Sequence, residues 1–281
     1  MMATPKRIQN PKTARPSIGL MIFAIAYLVF LYLPVLFLPV FSLNDSAFIK
    51  FPLEGFTTRW YDEALSDQNM IAALMNSLKV GAISAVSATF LGLLAAKAVT
   101  RYRMRGAGTA MGVIMLPLFI PEIVLGISMV LLFDAVDLPL SLVTVTIGHI
   151  MLTVPFAMAV LIARMDGFDK SLEEASLDLG ESAWMTFWRV TFPLVLPGIV
   201  SSLLLTFIVS FDEFLIAFFL GGTDMTLPVY IWSQLRFPAK LPSVLAMGAL
   251  ILVASCVLVV LAEWLRRRGV SDEAKKGAIG I

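Results

Sequence analysis

Six long apolar runs limit what this chain can fold into: 18–43, 71–99, 110–133, 142–163, 194–220 and 242–265. A helix needs roughly 20 apolar residues to cross the hydrocarbon of a bilayer. No water is available there, so such a run pairs its backbone polar groups within itself. The expected fold is all-α and membrane-embedded, with six transmembrane helices. Of the 281 residues 59% are hydrophobic, and mean hydropathy is +0.89, whereas soluble domains run nearer about 45–50% apolar. The first run is too long for a cleaved leader, and no small-x-small site follows it. It reads as a permanent first helix that Pro34 and Pro39 are expected to kink. The expected organisation is a tail at 1–17, a membrane domain at 18–265 and a second tail at 266–281.

Charge orients these helices. Lys6, Arg7, Lys12 and Arg15 precede the first run. Arg101, Arg103 and Arg105 follow the second, Arg164, Lys170 and Arg189 follow the fourth, and Arg266, Arg267, Arg268, Lys275 and Lys276 follow the sixth. The alternate connections hold Lys50, Arg59, Arg236 and Lys240, against a surplus of acids. Fifteen basic residues on one side and four on the other put both termini in the cytoplasm, by the positive-inside rule. Net charge is +1, which gives no bulk electrostatic case for nucleic acid. The single cysteine, Cys256, excludes an intrachain disulfide and a cysteine zinc cluster. Two outer segments have an interfacial character. The first, 44–70, carries Phe48, Phe51, Phe56, Trp60 and Tyr61; it reads as an aromatic belt with a short surface helix, or as a contact surface for an external partner. The second, 221–241, carries Gly221-Gly222, Pro228, Trp232 and Pro238 and invites the same two readings; its Gly pair and prolines argue for a broken, re-entrant or short helical piece rather than another span.

The fourth connection, about 164–193, is polar and patterned. Ser171-Leu172-Glu173-Glu174 fits a capping box, Ser at the N-cap and Glu at N3. A helix is expected from Leu172 to Leu179, with Gly180 left-handed at its end. Ser182 is the expected N-cap of a second helix through Phe187 and Trp188. Pro193 then precedes the fifth run.

The run Glu174-Ala175-Ser176, then Gly180, then nine residues to Val190-Thr191-Phe192-Pro193 resembles the signature loop of inner-membrane permease subunits of bacterial ABC importers. That pattern is Glu-Ala-Ala, three residues, Gly, nine residues, Ile-x-Leu-Pro. Glu174, Ala175, Gly180 and Pro193 match it, and Ser176, Val190 and Phe192 are conservative departures. The resemblance covers nearly the whole chain and is closest to permeases of spermidine/putrescine importers, through Pro121-Glu122-Ile123-Val124-Leu125-Gly126 and Ser210-Phe211-Asp212-Glu213. It implies a type I importer permease fold and a loop (Glu173, Glu174, Ala175, Ser176, Asp178, Gly180, Pro193) that couples to an ATPase. It also implies three kinds of partner: a second six-helix permease, two ATPase subunits carrying ATP and Mg, and an extracytoplasmic solute-binding protein. Relatives for aminophosphonates, thiamine, ferric iron and sulfate share this architecture. The chain contains no Gly-Lys pair, hence no phosphate-binding loop, so any ATP site lies on another chain.

Carboxylates at membrane depth are functional candidates, because each costs about 2.5–3.5 kcal/mol on insertion scales. Glu122, Asp212 and Glu213 qualify, with no obvious basic partner. They point to a pathway for a cationic solute, with Phe211, Tyr230 and Trp232 as aromatic neighbours. Asp212 or Glu213 alternatively caps a broken helix or packs against a partner subunit. His149 has no second ligand at metal spacing and reads as a hydrogen-bonded packing residue. An ion-coupled carrier is the competing transport class. A channel lacks a legible filter, and a hydrolase lacks a nucleophile–base pair.

Overall fold

The computed structural model describes residues 18–46, 48–102 and 106–257. Both charged tails, Arg103, Arg105 and the last part of the sixth run lie outside the described residues. The helices are α1 (Ile18–Ser42), α2 (Arg59–Ser66), α3 (Gln68–Arg101), α4 (Ala107–Met115), α5 (Glu122–Ala135), α6 (Leu142–Asp166), α7 (Ser171–Asp178), α8 (Ala183–Thr186), α9 (Phe192–Asp212), α10 (Leu215–Leu220) and α11 (Leu227–Gln234). A twelfth, α12, covers 241–257. No strand occurs among the described residues.

Among the described residues five helical stretches are long and apolar enough to cross a membrane. The expected third span is not a straight rod. It is two helices, Ala107–Leu118 and Glu122–Ala135, bent by 102°. Pro117 lies in the 3-10 turn that ends the first. Pro121, which has no N–H to give, sits just before Glu122, and a residue preceding proline is disfavoured in helix. The fifth run also breaks. Its helix runs from Ala183 to Asp212, Glu213 is extended (φ −68°, ψ 119°), and α10 follows as a separate short helix. The expectation of one continuous span over 194–220 is therefore corrected at both ends.

The chain divides into two compact units, Met1–Ala64 with Pro238–Ile281, and Leu65–Phe237. In the first, Asn44 is the hub. Its side chain accepts from the Glu54 N–H at 2.9 Å, its carbonyl accepts from Trp60 Nε1 at 2.9 Å, and it bridges to Phe56. The expected short helix is α2, but Trp60 is buried and so is no belt residue. Phe48, Phe51 and Phe56 stay exposed.

In the second unit α3, α6 and α9 pack together. Ser84, Ala88, Gly92 and Ala96 form a small-residue stripe along α3, and all four are buried. Lipid tails supply no hydrophobic drive between helices, so close backbone approach through small residues takes its place. A Cβ on Gly92 would stand 2.7 Å from Ala157 Cβ and 2.9 Å from the Met158 nitrogen. Thr89 and Ser202 pair hydroxyls at 3.1 Å across α3 and α9. Near the α11 end, Ile216, Ala217 and Leu220 of α10 pack on Leu125, Met129 and Phe133 of α5 and Val145 of α6. The stretch from Leu220 to Leu227 is tied down by polar contacts: Thr144 Oγ1 donates to Leu220 O at 2.8 Å, Leu227 N–H to Ser77 Oγ at 2.8 Å, and Asn76 Nδ2 to Met225 O at 3.0 Å. These satisfy backbone groups that the broken segment cannot pair internally.

Candidate functional site

The two helix breaks meet at one cavity. It has a volume of about 560 Å³ and is lined by the 117–123 turn, Leu152 and Phe156 of α6, Val209 of α9, Glu213 and Leu215. Glu122 and Glu213 therefore share a chamber, although 91 positions separate them in the sequence. Among the described residues no lysine or arginine lines it. The walls are otherwise apolar, with Phe119 and Phe156 as aromatic surface.

Glu213 does two things at once. Its Oε1 accepts from the Ile216 N–H at 3.0 Å, which caps α10, and its carboxylate also lines the cavity. The capping alternative and the pathway reading therefore meet in one residue. Asp212, the last residue of α9, is exposed and not part of this lining. Phe211 is half-buried and stacks on Phe207, with ring centroids 5.8 Å apart. Tyr230 is buried, and its hydroxyl donates to Asp67 Oδ2 at 2.8 Å. The other oxygen of Asp67 accepts from the Asn69 and Met70 N–H groups and so caps α3. Tyr230 also borders a separate cavity of about 460 Å³ with Asn69, Asn76, Asp224, Ser233 and Gln234. Trp232 packs on Phe214 and Phe218, and the Arg236 guanidinium already lies 4.5 Å from its ring centroid. Of the six candidate pathway residues, only Glu122 and Glu213 come together. His149, as expected, is buried and hydrogen-bonded, Nδ1 to Ser210 Oγ at 2.7 Å.

The second element is a hairpin that follows the C-terminal end of α6. Helix α7 ends as expected: Gly180 has φ +89°, its N–H bonds Leu177 O at 2.9 Å, and the Glu181 N–H bonds Ser176 O at 3.2 Å. This paired closure satisfies the last carbonyls and needs a left-handed residue after the helix. The start of α7 differs from expectation. Ser171 is its first helical residue, not its cap, and Asp169 Oδ1 accepts the Ser171 N–H at 3.0 Å. That bond and the Ser171 hydroxyl hold the Asp169 carboxyl below its ordinary range. Ser182 caps α8 as expected, accepting from Met185 N–H. Helix α8 does not end beneath the membrane, however. It runs through a π-turn, Phe187–Thr191, directly into α9. Pro193 sits inside this continuous helix. A residue without an N–H, whose ring crowds the preceding turn, favours such widening.

Glu174, Ala175, Asp178 and Gly180 are exposed, as are Leu172, Leu177 and Leu179. Glu173 turns inward, and one of its oxygens lies 2.8 Å from Arg101 Nε. This is a close ion pair, though off the alignment for an Nε–H hydrogen bond. The Arg101 side chain is only 6% exposed and that of Glu173 14%. Arg101 Nη2 also donates to Met165 O at 3.0 Å, and its guanidinium stacks 4.4 Å from the Phe168 ring. The other Glu173 oxygen accepts the Thr191 hydroxyl. Ser176 and Thr186 pair at 3.0 Å. Removing one partner of a pair this buried costs about 3–5 kcal/mol, since the remaining charge is stranded. Sequence reasoning counted Arg101 only as an orienting charge and passed over Thr191. No local spacing signals their pairing with Glu173, because Arg101 lies 72 positions away.

The chain is thus a helical membrane protein with a cavity at two helix breaks and an exposed helical hairpin. A family model for the binding-protein-dependent transport system inner membrane component matches residues 88–269, and the chain belongs to that family. It is thus the permease subunit of an ABC importer. It is 32% identical over 246 residues to the spermidine/putrescine transport system permease protein PotC of Escherichia coli K12, covering 87% of this chain and 92% of that one. It is 33% identical over 256 residues to the putrescine transport system permease protein PotI of the same organism, covering 88% and 90%. The fold matches a chain of the bacterial alginate ABC transporter solved with an alginate pentasaccharide-bound periplasmic protein. There the TM-score is 0.65 at 18% identity, over 89% of this chain and 93% of that one.

Proposed function

We propose that this chain forms part of the transmembrane route for a di- or polyamine in an ATP-driven importer of a bacterial inner membrane. The observation that carries the solute class is the chamber shared by Glu122 and Glu213. Two carboxylates, apolar walls and aromatic surface suit a molecule that alternates ammonium groups with methylenes. A cation would offset the desolvation of the buried Glu213 carboxylate, and the rings add cation–π attraction. The names of the similar permeases, for spermidine and putrescine, support the same reading.

The hairpin of α7 and α8 faces the cytoplasm in this reading, by the charge asymmetry of the sequence. Its exposed Glu174, Ala175, Asp178 and Gly180 meet an ATPase subunit that carries the ATP and Mg. A second permease completes the pathway, and an extracytoplasmic binding protein delivers solute at the other face. ATPase closure moves the hairpin, and the movement alternates access to the chamber.

The test is uptake of labelled putrescine and spermidine in cells lacking other polyamine importers, with Glu122→Gln and Glu213→Gln made singly and together. The double variant is expected to lower uptake at least about tenfold, with KM raised, since each loses a charge–charge contact of the order of 1–2 kcal/mol. Normal polyamine uptake by the double variant, at equal expression, removes the cationic-chamber reading. Adding Asp212→Asn separately is expected to do less, because Asp212 lies off the chamber.

A further inference from the structure

We infer that Arg101 is a positioning residue for transport, carrying the movement of α7 into α3 through its buried pair with Glu173. The inference rests on the importer reading above and adds a route within it.

Helix α7 is joined to α6 by the turn around Asp169 and to α8 by the turn at Gly180. Its described polar contacts toward α8 and the π-turn, Ser176 with Thr186 and Glu173 with Thr191, stay within the 171–191 hairpin. The ion pair of Glu173 with Arg101 leaves that hairpin and reaches the end of another span. Arg101 is itself fixed from two further sides, by the Met165 carbonyl at the end of α6 and by the Phe168 ring. One carboxylate and one guanidinium therefore join α3, α6, α7 and the π-turn. Both groups are nearly out of water, so the pair is neither screened nor easily exchanged for solvent partners. A displacement of α7 must carry Arg101 along or break the pair. Helix α3 packs along both α6 and α9, which supply Leu152, Phe156 and Val209 of the chamber wall. Glu173 precedes the Glu-Ala-Ser run and turns away from the exposed face that Glu174 and Asp178 present, so its work is internal.

The experiment uses the assembled complex of this chain with its partner permease, ATPase and binding protein, in proteoliposomes. ATP hydrolysed per solute imported is measured for wild type, Glu173→Gln, Arg101→Lys, Thr191→Val and the exchange Arg101→Glu with Glu173→Arg. For Glu173→Gln the ratio is expected to rise about tenfold, within the roughly 5–150-fold range of site-to-site coupling. Arg101→Lys, which keeps the charge but loses the fork, is expected to raise it less, and the exchange is expected to recover part of the loss. A ratio unchanged in Glu173→Gln and Arg101→Lys overturns the inference, as does a proportional fall in hydrolysis and import. Should Glu173→Gln fail to assemble, Arg101→Lys and Thr191→Val decide by the same ratio. Failure of the wild-type complex to import any solute with ATP defeats the importer reading itself, a different result.

Discussion

Gly180 shows most directly how a single residue's conformation sets the hairpin. Its φ of +89° closes α7, and a Cβ there would meet no atom within 4 Å, so space does not limit substitution and backbone strain does. A left-handed residue other than glycine costs about 1–2 kcal/mol, and β-branching adds to it. Gly180→Val is expected to loosen the turn and lower uptake, whereas Gly180→Asn, which tolerates this region, is expected to keep most of it. Uptake with matched membrane insertion checks the pair, and equal behaviour of the two variants would remove the conformational argument. The motif around Gly180 was legible in the sequence because helix caps are local. The start of α7 differs from expectation because the Asp169 carboxylate, two residues ahead, takes the Ser171 N–H and leaves Ser171 inside the helix.

The continuity of α8, the π-turn and α9 changes how the hairpin transmits load. Pro193 lies inside a helical run from Ala183 to Asp212, which behaves as one rod. Pro193→Ala is therefore expected to leave uptake close to wild type. Inserting Gly-Gly between Thr186 and Phe187 is expected to lower it steeply, because two glycines inside a helix cost about 2 kcal/mol and break the rod. The reverse pairing of outcomes would place a joint at Pro193 and overturn the single-rod reading. The contact of α3 with α6 gives a second check at this scale. Gly92→Leu is expected to lower the thermal stability of the purified permease in detergent by about 1–3 kcal/mol, as overpacking does. Unchanged stability would mean that the backbones can separate at Gly92 without penalty.

At the scale of the whole molecule the chain is the permease subunit of an importer. The purified polypeptide is expected to show no ATP turnover, since no phosphate-binding loop occurs in it. Hydrolysis is expected only when an ATPase subunit is added. Turnover by the chain alone would overturn that division of labour. The sequence by itself determined the all-helical membrane fold, because 20-residue apolar runs have few other ways to pair their backbones. It also determined the hairpin and its left-handed glycine, because spacing along a helix and capping act over a few residues. Only the tertiary structure decided that the third run is bent and the fifth interrupted. It alone decided, too, that Glu122 and Glu213 share a chamber while Tyr230 and Trp232 are held elsewhere, and that Glu173 finds Arg101. These are meetings between residues tens of positions apart, set by how α3, α6 and α9 pack through small side chains, and hydropathy along one run carries no record of them.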